Sequence, residues 1–165
     1  MTLGRAALVA LVEDRYFGNV AAGRIEATRA CFTDDAEVLI RHGDGPPRRL
    51  VGTPGPGESP LEDFWRHLCG NYRPSFDGFE HVVDEPAQRI ASTFTVTLEP
   101  HPGTPLAARG TQTLRNCNFF QLRDGRIARM VVYYSNPDAP AGTGAPTGYP
   151  PPGWRPAHDD GGTAR

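Results

Sequence analysis

Apolar residues recur at helical spacing near the start of the chain, where Leu8, Leu11, Val12, Tyr16 and Val20 fall near one face. The pattern predicts a helix from a Thr2 cap to about Ala22, broken by Gly23, and a second short helix from Ile25 to Phe32. Thr33, Asp34 and Asp35 predict a turn, and Ala36 to Arg41 a strand. Ser59, Pro60 and Glu62 give the cap, first-turn proline and capping acid of a third helix ending near Gly70. The period then changes from helical to two. Phe79 to Asp84 is a short strand. Gln88 to Leu98 alternates, with Ile90, Phe94, Val96 and Leu98 on one side and Thr93, Thr95 and Thr97 on the other. Ala107 to Leu122 predicts a long strand, Arg123-Asp124-Gly125-Arg126 a tight hairpin turn, and Ile127 to Ser135 a last strand. Helices followed by a run of antiparallel strands predict an α+β fold.

Two stretches break the pattern. Gly43 to Pro60 holds five Gly and five Pro and predicts a long loop with a short strand at Arg49 to Val51. Residues 137–165 hold 7 Pro and 6 Gly in 29 positions, too little apolar surface to offset the entropy of ordering them. The expected organisation is a domain over 1–136 and a flexible tail over 137–165, in which Tyr149 and Trp154 are candidates to dock on the body or on a partner subunit.

Composition narrows the function. The chain has 165 residues and a net charge of −2, so nothing basic points to nucleic acid or anionic lipid. All 17 positive charges are arginine, which excludes Schiff-base lysine chemistry and a P-loop lysine. Cys31, Cys69 and Cys117 are odd in number and lack a CxxC spacing, as reduced buried thiols would. Neither a leader-like apolar segment nor a membrane-length apolar run occurs, so the expectation is a cytoplasmic protein that neither spans nor binds membrane. His42, Asp44 and His67 form no compact ligand set, and no metal is expected. No GxSxG motif occurs, and Pro54 and Pro56 remove amide donors from the Gly-rich loop, so no cofactor is expected either.

The candidate chemistry lies on the strands. His81 sits in an apolar strand, and an imidazole both takes and gives protons near neutrality; a histidine bonded to backbone is the structural alternative. Asn116 and Asn118 share a strand face with Leu114, Phe120 and Leu122. Amides on such a face need partners, from a ligand oxygen or from each other. Tyr16 either donates its hydroxyl to a substrate or simply packs. Phe64, Trp65 and Leu68, with Phe32 and Phe120, make an apolar wall that suits a polycyclic or terpenoid-like ligand, or an ordinary core.

Several phrases resemble the nuclear-transport-factor-2-like superfamily, which includes ketosteroid isomerases, scytalone dehydratase, limonene-type epoxide hydrolases and SnoaL-like polyketide cyclases. They are Arg15-Tyr16, Ala22-Gly23-Arg24-Ile25-Glu26-Ala27, Phe32-Thr33-Asp34-Asp35-Ala36-Glu37-Val38, Asn118-Phe119-Phe120-Gln121-Leu122 and Asp124-Gly125-Arg126-Ile127. The resemblance runs from about Leu8 to Asn136. It implies a cone-shaped, curved antiparallel sheet wrapped round three N-terminal helices, a cystatin-like α+β barrel with an internal pocket. It also implies a homodimer through the convex face of the sheet, where Arg115, Cys117, Phe119 and Gln121 would lie.

The departures from the family matter. Ile40 stands where the isomerase base would be, and Asn118 where its oxyanion-site acid would be; only Tyr16 keeps the isomerase type. Val96 and Val132 stand at the positions of the epoxide hydrolase aspartates, and the last strand lacks the acid of SnoaL-like cyclases. His81 and Asn116 match a histidine and an asparagine of scytalone dehydratase. The expectation is a cofactor-independent dehydratase, isomerase or cyclase acting on an apolar oxygenated small molecule of secondary metabolism. His81 would move the proton, Tyr16, Asn116 and Asn118 would polarise an oxygen, and Phe32, Ile40, Phe64, Trp65, Leu68 and Phe120 would line the pocket. The alternative is a non-catalytic binding or scaffold subunit.

Overall fold

The computed structural model describes residues 2–41 and 47–134. The 137–165 tail, and His42 and Asp44, lie outside the described residues.

The first helix, α1, is α-helical over Arg5–Ala10, widens to π geometry over Leu11–Phe17 and returns to α over Gly18–Ala21. Leu8, Leu11, Val12, Tyr16 and Val20 are all buried, as their spacing predicts. The cap differs: Gly4 occupies the N-cap position, and the first helical amide, that of Arg5, donates to Glu85 Oε2 at 2.8 Å instead of to a local cap side chain. The wider π turn also brings Phe17, the neighbour of Tyr16, to the buried side.

Helix α2 covers Ile25–Arg29 and ends earlier than expected. The Arg29 guanidinium donates to the carbonyls of Phe32, Thr33, Asp34 and Gly52 at 3.1–3.3 Å. These bonds hold the following chain as strand β1, Phe32–Arg41, where a turn was expected at Thr33 to Asp35. The ladder shifts register between Phe32 and Glu37, and Asp34 and Asp35 remain exposed.

Strand β2 is Arg48–Val51 and β3 is the residue pair Ser59–Pro60. Ser59 and Pro60 therefore do not start the third helix. They pair with Leu50 and Val51, and the Leu61 amide donates to the Val51 carbonyl at 3.0 Å. Helix α3 begins two residues later, at Glu62, and runs to Asn71.

Strand β4, Tyr72–Asp84, is longer than the predicted Phe79 to Asp84. Pro74 and Gly78 obscure its alternation, and both are compatible with an edge strand. Gly78 takes φ 61° at a bulge between Asp77 and Glu80, which turns both Phe76 and Phe79 inward. Strand β5 is Arg89–Pro100. Ala107–Arg109 form a short 3-10 turn instead of the start of a strand, and β6 runs from Gln112 to Arg123. Asp124 and Gly125, at φ 53° and 73°, make the hairpin turn into β7, Arg126–Tyr134.

The seven strands form one curved open sheet in the order β3-β2-β1-β7-β6-β5-β4, with helices against it. It is an α+β fold, and the sheet does not close into a barrel. Most neighbours are antiparallel, but β1 pairs parallel with β7 and β2 parallel with β3. The β1–β7 pair joins the two halves of the chain, and the core lies between this sheet and the helices. On the outer face, Val82, Ala91, Phe119, Val131 and Leu39 are successive cross-strand partners, with Phe119 48 % and Val82 77 % exposed. Among the described residues no helix is long and apolar enough to cross a membrane.

Candidate active site

A cavity of about 340 Å³ opens between α1, α3 and the inner face of β4–β7. That size suits a drug-sized organic molecule. Alternation on β5 and β6 aims Phe94, Val96, Leu98 and Leu114 into it, and α1 contributes Tyr16, Phe17 and Val20. Its polar groups fall into two sets. Asn116, Asn118 and Tyr16 are inside, while His67 of α3 and Arg109 of the 3-10 turn are exposed at the rim.

The inner amides are short of partners. Asn118 is 3 % exposed, and its Oδ1 has no hydrogen-bond partner among the described residues; its Nδ2 meets only the Met130 thioether at 3.8 Å. The Asn116 Oδ1 is also buried and has no partner among the described residues. A buried amide left this way costs about 1–3 kcal/mol unless something in the cavity satisfies it.

The Trp65 indole N–H donates to the Tyr16 hydroxyl oxygen at 3.4 Å, leaving the phenol proton for another acceptor. Burial holds the Tyr16 pKa far above the usual tyrosine range, only partly countered by the Trp65 bond, so the phenol stays protonated. Burial also raises the pKa of Cys31, Cys69 and Cys117, which keeps these thiols from acting as thiolates.

His81, expected to move the proton, is not among the residues that line this cavity. Beyond the Gly78 bulge it stacks on Phe79, and both ring nitrogens are engaged. Nε2 donates to Glu13 Oε1 at 2.6 Å, and Nδ1 shares a hydrogen bond of 2.8 Å with the fully buried Ser92 hydroxyl. The group ties the π turn of α1 to β4 and β5. Ser92 is the cross-strand partner of Asn118, so this satisfied cluster adjoins the unsatisfied one.

Of the expected wall, Phe64 and Leu68 line the cavity; Phe32, Ile40, Trp65 and Phe120 do not. Phe32, Trp65 and Phe120 pack round the Tyr16 ring at 5.4, 6.3 and 5.8 Å between centroids, and so stand behind the wall. Ile40 is buried in the core. Val96 and Val132 do face the cavity, so apolar groups occupy the positions matched to aspartates. Sequence reasoning missed His67 and Arg109 as cavity residues. The exposed side of an amphipathic helix and a loop arginine carry no local sign that they border a pocket. Glu13 was equally hidden, because its partner is 68 positions away.

A curved sheet closed by helices over an apolar cavity with a few polar groups defines a nuclear-transport-factor-2-like pocket domain. The profile of the SnoaL-like domain family matches residues 14–130, and the chain belongs to that family. A candidate polyketide cyclase from Silicibacter sp. TM1040 is similar at 26% identity, over 81% of this chain and 92% of that one, with TM-score 0.60. A protein from Methylobium petroleophilum PM1 with a cystatin-like fold and unknown function is 18% identical over 86% and 84% of the two chains, with TM-score 0.60. The epoxide hydrolase/cyclase-like enzyme SalBIII, associated with pyran ring formation in salinomycin, is 16% identical over 78% and 90%, also with TM-score 0.60. No curated protein matches the chain.

Proposed function

We propose that this protein is a cofactor-independent acid/base enzyme that cyclises, isomerises or dehydrates an apolar oxygenated small molecule in biosynthesis. The observation carrying this reading is the pair of cavity amides, Asn116 and Asn118, whose buried oxygens lack partners among the described residues. With the protonated Tyr16 phenol they form a neutral polar pole in an apolar cavity. The phenol O–H would donate to an oxygen that gains charge in an enolate-like transition state, and the open amide oxygens would accept from a hydroxyl of the same substrate. Fixed neutral donors in a low-dielectric site stabilise such charge without reorganising water.

The proton carrier we assign is His67, the one imidazole among the described lining residues. The Asn71 amide donates to the His67 carbonyl at 2.7 Å and lies 3.5 Å from the ring Nδ1. His81, with both nitrogens engaged, is a positioning residue in this reading.

The test is to incubate a metabolite extract of the source organism with wild-type protein and with the Asn116→Leu/Asn118→Leu variant. A species converted to an isomer, or to a product lighter by one water, with wild type alone supports the reading. A molecule that binds both proteins and leaves unchanged favours the non-catalytic alternative, which the absence of a carboxylate among the described lining residues keeps in play.

The similarity to candidate polyketide cyclases favours a biosynthetic substrate. We also assign the outer apolar row around Phe119 to pairing with a second copy, since a two-fold axis lets one row meet itself. Phe119→Arg should then leave a monomer by light scattering. A wild-type monomer would end that assignment.

A further inference from the structure

We infer that the cavity selects a neutral ligand with two hydroxyl groups on one edge, spaced to meet Asn116 and Asn118 together. The inference rests on the enzymatic reading above and deepens it by naming the substrate class. It stands on the register of β6 as well as on the open amides. Asn116 and Asn118 alternate onto one face, so their Cα atoms lie about 7 Å apart along the strand. Both side chains line the cavity, and each carries a buried oxygen with no partner among the described residues. Asn118 is 3 % exposed, so bulk water is no substitute for a partner there.

The number of donors follows from this spacing. A hydroxyl carries one proton and so satisfies one open oxygen; two open oxygens that far apart call for two hydroxyls. A ketone or an ether brings only acceptors and leaves the amide oxygens unpaired. The ligand is neutral at this depth because its surroundings are. Phe94 is the cross-strand partner of Asn116 and Val132 that of Asn118, and both line the cavity. An ionised group between them would lose its water with no counter-charge to replace it.

Tyr16 sets the direction. Its ring packs at 5.8 Å on Phe120, the next inward residue of β6 beyond Asn118. The oxygen that receives the phenol proton's hydrogen bond therefore lies at the Asn118 end of the ligand. The class that fits is a flat or alicyclic neutral diol, its hydroxyls separated by about the width of a ring system and its reacting oxygen at one end. A site built to bond hydroxyls rejects analogues that lack or misplace them more strongly than an apolar wall rejects an extra methylene.

The probes are naphthalene-2,7-diol and naphthalene-2,6-diol. The isomers share size, ring system and two hydroxyls, which stand on one edge in the first and on opposite edges in the second. Calorimetric titration of the full-length protein should give about ten-fold tighter binding of the 2,7 isomer, the worth of one more amide satisfied. Asn116→Leu and Asn118→Leu, each checked for folding by circular dichroism, should each erase the preference, because one amide then remains for either isomer. Equal affinities in wild type, or no binding of either isomer, overturns the inference without recourse to a variant. A preference that survives in both folded variants overturns it too, since other groups then read the hydroxyls. These failures are separable from failure of the enzymatic reading. Turnover that depends on Asn118 with no isomer preference leaves an enzyme for substrates with a single hydroxyl at the amides. The preference without turnover of any extract component leaves a diol-binding protein.

Discussion

Two polar clusters lie side by side on the inner face of the sheet. In one, Glu13, His81 and Ser92 satisfy each other at 2.6 and 2.8 Å, with the Ser92 side chain fully buried. In the other, one cross-strand position away, the oxygens of Asn118 and Asn116 meet no partner among the described residues. Both clusters sit among apolar neighbours, where a polar group without a partner is costly. The difference shows what each is for. A closed network spends its hydrogen-bonding capacity on joining α1 to the sheet. An open one keeps that capacity for a molecule from outside.

The comparison can be broken most sharply at Asn118. Asn118→Leu is close in volume and removes the amide. Turnover of the substrate should fall about 100-fold in a steady-state assay, the scale of losing one substrate-orienting hydrogen bond in a water-excluded site. Removing His81 should act on stability instead. His81→Ala strands the buried Ser92 hydroxyl and uncovers Phe79, costing about 2–4 kcal/mol in urea unfolding, with turnover little changed below the melting range. A large loss of turnover in folded His81→Ala would return the proton-carrying role to that residue.

Tyr16→Phe sharpens the open cluster. It removes one neutral donor while the ring keeps its packing against Phe32 and Phe120, so turnover should drop about ten-fold. Because burial raises the Tyr16 pKa, its proton should remain in place through the alkaline arm of the pH–rate profile. The wild-type and Tyr16→Phe profiles should then run parallel there.

The smallest effect lies outside both clusters. Glu37 accepts from Arg49 at 2.6 Å and Arg129 at 3.2 Å, and these bonds, the Arg49 bond foremost, lower its pKa. The folded protein thus holds the Glu37 proton less readily than the unfolded chain. The resulting stabilisation is complete above the ordinary carboxylate range and drains away as pH falls through the lowered value. Glu37→Gln should cost about 0.5–1 kcal/mol at neutral pH, and the difference from wild type should close in acid.

Alternation made the open cluster legible in the sequence. Leu114, Asn116, Asn118, Phe120 and Leu122 were placed on one face from their spacing alone, and that face points inward. The same logic marked Phe94 and Val96. It failed on β4, where the Gly78 bulge shifts the period and Pro74 interrupts it, so the strand's first half went unread. It could not foresee the parallel β1–β7 pairing, because register between strands some ninety positions apart is set by tertiary packing. His81 drew notice as a histidine on a strand. What decides its role is Glu13 on the π turn, and nothing local in the sequence announces that partner. Phe32, Trp65 and Phe120 were correctly seen as buried aromatics, but the Tyr16 ring stands between them and the cavity.

The central claim is that one cluster is closed for structure and the other open for a ligand. Urea unfolding of Asn118→Leu beside His81→Ala, without added ligand, tests it most directly. The account predicts opposite signs: Asn118→Leu as stable as wild type or more so by about 1 kcal/mol, because an unsatisfied buried amide is gone, and His81→Ala clearly less stable. Destabilisation of Asn118→Leu by as much as His81→Ala would contradict the account, since the asparagine would then be part of the scaffold.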